Sequence, residues 1–279
     1  MRTRSRTRNA ILAYLIVVVS LVFFISPMLW IGYTSFRTED SIFTGQVISP
    51  LSQYTLANYH TILTVTNFPL YFWNSLQIGT IVTLVSLFAS IIGAYALSRF
   101  NIRWKNAIIM GIFSTQMFPQ VLLILPIFLV VVSLSLLDQI IGVVLAQLIL
   151  VLPYQVWMLK GYFDNLPLDL DEAARIDGCS IPRRLLNVIL PVAVPGISVA
   201  AFYSFVVSWG DYLMVSVINQ TDRTATVTLI MQRLSASLLI RWGEVAAVAV
   251  LVIVPTIVLF SFIQSRLVAG MTAGALREE

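Results

Sequence analysis

Hydrophobic and polar positions along this chain fall into long blocks, not into a short period. Continuously apolar runs cover roughly Ile11 to Gly32, Ser75 to Leu97, Ala107 to Val132, Ile140 to Leu159, Gly196 to Ile218 and Gly243 to Ile263. Each is close to the roughly 20 apolar residues that a helix needs to cross a hydrocarbon core about 30 Å thick. None alternates inside and outside as a barrel strand does, and a segment in lipid must satisfy its backbone hydrogen bonds internally. The pattern therefore predicts an all-α, polytopic membrane protein of six spans forming a single transmembrane domain over 1–279, with almost nothing left for a soluble domain.

Composition fits this reading: 58% of residues are hydrophobic and 11% charged, with a mean hydropathy of +0.90. The first run follows Arg2, Arg4, Arg6 and Arg8, as the start of a signal peptide would, but "FFISPMLWIG" offers no small-x-small cleavage site, so an uncleaved span is expected. The single Cys179 excludes an internal disulfide, and the lone His60 makes no metal site by itself. Charge sets the orientation. One set of connections holds the four N-terminal arginines, Arg99, Arg103, Lys105, Lys160, Arg175, Arg183, Arg184, Arg266 and Arg277; the other holds only Arg37, Arg223, Arg233 and Arg241. By the positive-inside rule both termini and the central loop, 160–195, are expected in the cytoplasm. The net charge of +4 then reflects topology and contact with the inner leaflet, not affinity for nucleic acid.

The central loop breaks the apolar pattern most sharply. "NLPLDLDEAARIDGCSIPRR" reads as helix, tight turn, helix. Pro167 suits a first helical turn. Asp169, Asp171 and Glu172 would lie near the helix N-terminus, where the macrodipole favours acids, and Arg175 nearer its end. Gly178 is placed to take the left-handed conformation that stops a helix. Ser180 is positioned to cap the next helix, with Pro182 in its first turn. From the residues alone two readings stand. In one, this is a solvated helix whose Asp171 and Arg175 pair at i,i+4 for roughly 0.2–0.5 kcal/mol. In the other, Ala173 and Ala174 give it a smooth side on which another surface docks. A DNA-reading helix-turn-helix is a poor fit, because the element is tethered to spans at both ends and carries as much acid as base.

"EAARIDG", followed after nine residues by "VILP", resembles the EAA signature of the membrane subunits of ATP-binding cassette (ABC) importers, with Val188 where that family usually has Ile. "ANYHTIL" with "WNSL", "QMFPQVLLILPIF", "LLDQIIGVVLAQLILVLPYQVWMLKGYFDNLP", "SWGDYL" and "RLVAGMTAGAL" extend the likeness over most of the chain, toward the six-span subunit of the maltose-type carbohydrate permeases. The resemblance implies that the loop is a coupling helix between the fourth and fifth spans, seated in a cleft of a cytoplasmic ATPase through Glu172, Ala173, Ala174, Asp177, Gly178, Leu190 and Pro191. It implies a C-terminal tail, with Gly270, Thr272 and Gly274, that contacts the ATPases. It also implies partners: a second permease subunit making a heterodimer, two ATPase copies that bind ATP and Mg, and an external solute-binding protein, in a bacterial inner membrane. No cofactor is then expected in this chain. Consistent with that, the sequence holds no G-x-x-x-x-G-K-[ST] phosphate loop, and no G-x-S-x-G or H-E-x-x-H motif.

Polar residues inside spans are costly and point to function or to helix–helix bonding. Asn74 opens the second expected span, Gln116 sits in the third beside Pro119, Gln147 lies in the fourth and Asp211 in the fifth. Asn74, Gln116, Trp209 and Asp211 form the candidate substrate pathway. Asp211, with Trp209 and Tyr212, would offer acceptors and stacking faces to a sugar; alternatively it bonds to a neighbouring helix. Pro119 and Pro126 are expected to kink the third span, and Trp30, Trp73 and Trp242 to anchor at interfaces. The rival functions are a permease for glycerol-phosphate compounds and an ion-coupled secondary transporter, which would need more membrane-embedded carriers than Asp211 supplies.

The topology is directly testable. Cysteines introduced at Thr55 and Asp222 are expected to react with an impermeant thiol reagent from outside the cell, and those at Asn101 and Arg184 only from inside. Outside labelling at position 184 in intact cells would overturn the orientation.

Overall fold

The computed structural model describes residues 2–44 and 48–275, without the side chains of 2–9, 11 and 266–275. Among the described residues thirteen α-helices follow one another: α1 (Arg2–Ser35), α2 (Glu39–Phe43), α3 (Ala57–His60), α4 (Phe68–Arg99), α5 (Lys105–Ser114), α6 (Gln120–Ser133), α7 (Ile140–Asp164), α8 (Asp169–Ile176), α9 (Ile181–Arg184), α10 (Leu190–Gly210), α11 (Leu213–Ile218), α12 (Val227–Ser235) and α13 (Trp242–Ala275). The fold is all-α, as the apolar blocks require. Among the described residues five helices are long and apolar enough to cross a bilayer, and a bent pair, Lys105–Met117 with Gln120–Ser133, makes a sixth crossing if counted as one.

The chain forms two compact units, Met1–Phe68 with Met231–Val254, and Pro69–Ile230 with Pro255–Glu279. In the first, α1 is apolar all round and exposed from Leu12 to Ile31, which suits a helix whose solvent is lipid. The polar segment after it is ordered by its own hydrogen bonds. The Asn58 amide donates to the carbonyls of Ser35 and Arg37, each at 2.9 Å. Arg37 is buried and donates to Ser41, with its guanidinium 5.3 Å from the Tyr33 ring centre. At the start of α13 the Gly243 amide donates to Glu39 at 2.8 Å.

The second unit is the helix bundle. α4 has 32 residues, about 48 Å at 1.5 Å per residue, so both its ends project beyond a hydrocarbon core of about 30 Å. Near its start, the Asn74 amide donates to the carbonyls of Arg223 and Ala225, and Ser75 accepts from the Val227 amide. α7 and α10 pack closely where Gly196 faces the Tyr162 ring: a Cβ on Gly196 would stand 2.5 Å from ring carbons. Below this contact lies a core of Ala94, Tyr95, Leu159, Phe163, Ile189, Ala193 and Ala200.

The spans differ from their expected bounds in informative places. α4 begins seven residues before the expected Ser75, which puts Asn74 inside the helix. The third span turns by 104° at Phe118–Pro119, and Pro126 lies within α6. The fifth expected span is shifted toward the N-terminus, running over Leu190–Gly210 and stopping at Asp211, with α11 a separate short helix. A π-turn over Leu185–Ile189 joins α9 to α10. Hydropathy marks apolar composition, but where a helix ends is set by local partners, which composition does not report.

Replacing Gly196 with Ala would force the Tyr162 ring and α7 to shift, an overpacking cost of roughly 1–3 kcal/mol. Gly196→Ala is expected to lower the thermal midpoint of the detergent-solubilised chain, and Tyr162→Leu in the same chain to recover part of the loss. An unchanged midpoint in Gly196→Ala would contradict this packing.

Candidate functional site

The loop between α7 and α10 is built by short-range chemistry. α8 carries Asp169, Asp171 and Glu172 in its first turn and Arg175 in its last, each favourable to the helix dipole. It starts at Asp169, so Pro167 precedes the helix instead of sitting in its first turn. It ends as expected: Gly178 adopts φ +76°, the Cys179 amide donates to the Ala174 carbonyl at 2.9 Å, and the Gly178 amide to that of Arg175 at 3.1 Å. This double closure is a left-handed helix stop, for which glycine carries no Cβ penalty. Ser180 occupies the N-cap of α9 without a side-chain capping bond, and Pro182 lies in the first turn.

Asp171 does not pair with Arg175. Its carboxylate turns inward, where it accepts from the Tyr95 hydroxyl at 2.6 Å and lies 2.9 Å from the Arg99 Nε and 3.6 Å from the Arg184 Nε. Arg99 also donates to the Leu166 carbonyl at 3.0 Å, and Ser98 to Asp164 at 2.7 Å. Ala174, one turn on, is buried, and half-buried Leu170 packs against the Tyr95–Phe163 core. Of the predicted loop residues, Glu172, Ala173, Asp177 and Gly178 are exposed, whereas Ala174 belongs to the inner face. Exposed with them is Ile176, at 86%, which the sequence reading passed over. The signal was present: 172, 173 and 176 are spaced i, i+1, i+4, one helical face. Leu190 is half-buried and Pro191 exposed in the first turn of α10. For Gly270, Thr272 and Gly274 the helical backbone of α13 is described, but their side chains lie outside the described residues.

The polar residues of the spans divide. Asp211, with Gln120, Gln147, Gly210 and Tyr212, lines a cleft of about 270 Å³. A hollow of about 620 Å³ shares Gln120, Leu150 and Val207 with it and adds Gln116, Phe118 and Tyr203. The break at Pro119 opens this space. Gln147 bridges its wall, donating to Asp211 at 2.9 Å while accepting from Ser208. Gln116 donates to the Leu150 carbonyl at 3.2 Å. The other two candidates lie elsewhere. Trp209 is buried, stacked on Phe205 at 5.5 Å and edge-on to Phe72 at 5.6 Å, and Asn74 is committed to the 223–225 backbone. The structure thus joins Gln116 and Asp211 through Gln120, and sets Asn74 and Trp209 apart from the cleft.

At the opposite end from α8, Asp138 gathers the connection after α11. Its carboxylate accepts from the Thr221 and Thr224 hydroxyls at 2.6 and 2.7 Å and from the Gln220 and Thr221 amides, each at 3.1 Å. Partial burial alone would raise its pKa, but these donors outweigh it and hold the carboxyl down to about 2.

Comparison with known proteins places this geometry. A solved bacterial ABC transporter involved in the import of the acidic polysaccharide alginate has a chain that superposes with a TM-score of 0.80, covering 94% of this chain and 97% of that one at 21% identity. The fold is that of an ABC transporter permease. The permease protein of the trehalose/maltose transport system of Thermococcus litoralis is 31% identical over 99% of this chain and 100% of its own length. That of the sulfoquinovosyl glycerol transport system of Agrobacterium fabrum is 31% identical over 90% and 88%. Residues 86–273 match the family model described as the binding-protein-dependent transport system inner membrane component. The chain belongs to that family: it is a multi-pass inner-membrane permease subunit of an importer, not an enzyme.

The Asp138 clasp is pH-sensitive in a defined direction. Because its folded pKa lies below the ordinary value of 3.8, its stabilisation is fully present above that value and lost as pH falls through about 2. Asp138→Asn is therefore expected to speed amide exchange at Gln220 and Thr221 at neutral pH, and to remove the acid-induced rise in exchange expected of the unmodified chain. Equal exchange in the two chains at pH 7 would show that the clasp does not hold the loop.

Proposed function

We propose that this chain forms one half of the translocation pathway of an ATP-driven carbohydrate importer, coupled to its ATPase through α8. A second, different permease subunit supplies the other half, two ATPase copies bind ATP and Mg, and an external solute-binding protein delivers the substrate. Both units of the chain act as one transmembrane domain, with the termini and α8 on the cytoplasmic side.

The observation that carries the coupling reading is the form of α8. It is a short charged helix, locked at its end by Gly178 and anchored on one face, that presents Glu172, Ala173 and Ile176 outward. An exposed carboxylate beside a small residue and an exposed isoleucine makes a surface suited to a partner's basic and apolar groups. Displacement of this surface by ATPase closure would tilt the spans attached to it. The carbohydrate reading is supported by relatives whose named solutes are saccharides or a glycoside. It is also supported by the cleft, whose lining includes the Asp211 carboxylate, an acceptor for a solute's hydroxyls, and the Gln120 amide, which can both donate and accept.

The test separates two jobs in the loop. A β-branched residue in the left-handed conformation costs roughly 1–2 kcal/mol and would misdirect α9, so Gly178→Val is expected to weaken co-purification of the ATPase while the spans stay inserted. Glu172→Ala keeps a good helix former but removes a charged contact of roughly 1.5–3 kcal/mol, so assembly is expected to survive while uptake per ATP falls. Uptake is read in reconstituted vesicles with trehalose and maltose as first probes and a glycerophosphodiester as the rival class. Unchanged attachment and uptake in both variants would return α8 to a solvated surface helix.

A further inference from the structure

The inner face of α8 has its own chemistry, separate from the surface it presents outward. The Asp171 side chain is 9% exposed, Arg99 6% and Arg184 15%, and the three meet with Tyr95 from α4, α8 and α9. α8 is connected to its neighbours only by the short segments 165–168 and 177–180, and its apolar grip on the bundle is one buried alanine and one half-buried leucine. Apolar contact of that kind is non-directional and leaves a short helix free to roll. The hydrogen bond from the Tyr95 hydroxyl to the Asp171 carboxylate is directional, and the two guanidiniums beside it, at 2.9 and 3.6 Å, add charge pairing in a nearly buried place.

We infer that Asp171 is a positioning residue that makes α8 and the end of α4 one rigid body, so that a displacement of α8 is passed to the α4 span and not absorbed in the connecting segments. The inference rests on the coupling reading of α8. Four further observations carry it. Arg99 holds the Leu166 carbonyl as well as Asp171, so the last turn of α4 grips the loop at two points. Ser98 adds a third at Asp164. Arg184 donates to the Asp171 carbonyl at 3.4 Å, which ties in the turn leading to α10. Finally, one carboxylate faces two guanidiniums, so Asp171 is the single side chain through which both Arg99 and Arg184 are tied to α8.

The test uses the full assembly of this chain with its second permease subunit and ATPases in lipid nanodiscs, in a Cys179→Ser background. Spin labels are attached through Phe88→Cys on α4 and Leu129→Cys on α6, both exposed positions. The distance between them is read without nucleotide and with ATP trapped by vanadate. The unmodified loop is expected to give an ATP-dependent shift. Asp171→Asn is expected to keep the nucleotide-free distance and the bound ATPase but to lose the shift; Asp171→Glu and the charge exchange Asp171→Arg with Arg99→Asp are expected to recover part of it. A merely structural role would alter the nucleotide-free distance and would not be rescued by the exchange. Should Asp171→Asn fail to accumulate, Tyr95→Phe and Arg184→Gln carry the test, each expected to reduce the shift, and an intact shift in both overturns the inference. If the unmodified assembly shows a shift that Asp171→Asn retains, the clamp is wrong and the coupling reading stands. If no shift occurs in the unmodified assembly although ATP is bound, the coupling reading fails and the clamp with it.

Discussion

A hydrocarbon core contains no water to satisfy a broken helix, and this constraint governs where the bundle can be irregular. Side chains bridge neighbouring helices at or near several of the places where the spans are irregular. At the bend before Pro119, Gln116 donates to the Leu150 carbonyl of α7. At the end of α10, Gln147 reaches the Ser208 carbonyl and the Asp211 carboxylate, Asp211 accepts from the Met214 amide, and Thr228 donates to the Asp211 carbonyl. In mid-span Gln155 donates to the Ala200 carbonyl. The glutamines of α7 thus serve α10 along its length, and the polar cleft arises where two of these breaks adjoin. Its hydrogen-bonding groups are in place for structural reasons, and a hydroxyl-bearing solute would meet groups already oriented.

The same constraint explains what lies outside the core. α4 is long enough to carry Tyr95 and Arg99 past the hydrocarbon, where an ion cluster with Asp171 and Arg184 is affordable. At the other end Asn74, Ser75 and Asp138 fasten the segment from Gln220 to Val227 through backbone groups that have no regular partner. Apolar packing, seen in the close approach of Gly196 to Tyr162, holds the middle; directional polar clusters hold the two ends.

How much of this was legible in the sequence depends on the range of the interaction. The all-α class and the stop at Gly178 follow from composition and near neighbours, and both are present; of the six apolar blocks, five answer to single long helices and the third to a bent pair. Residue contacts separated by tens of positions were not legible. Asp171 and Arg175 stand at a favourable spacing, yet Asp171 is drawn to Arg99, 72 positions earlier, because a charge pair in a nearly buried place, joined by the Tyr95 hydroxyl, outweighs a solvated i,i+4 partner. Trp209 and Asp211, two positions apart, looked like part of one site, but Trp209 lies in the last turn of α10 and Asp211 beyond its end in extended backbone. The indole is packed against Phe72 and Phe205 while the carboxylate lines the cleft. Ala173 and Ala174 divide because adjacent residues in a helix point about 100° apart.

That angular argument also gives α8 its organisation. With 3.6 residues per turn, Asp171 and Ala174 share one face, and Glu172, Ala173 and Ile176 share the other. Two neighbouring acids therefore do different work: Asp171 is neutralised inside by arginines of this chain, whereas Glu172 keeps its charge toward the outside. A helix of eight residues has room for only two turns, so each face is defined by two or three side chains and neither can be reduced without loss. Under the coupling reading proposed above, opposite faces of one short element, one bound to the bundle and one open, would be the minimum from which a push on the outer face could be delivered to the spans, with the left-handed glycine setting where the element ends.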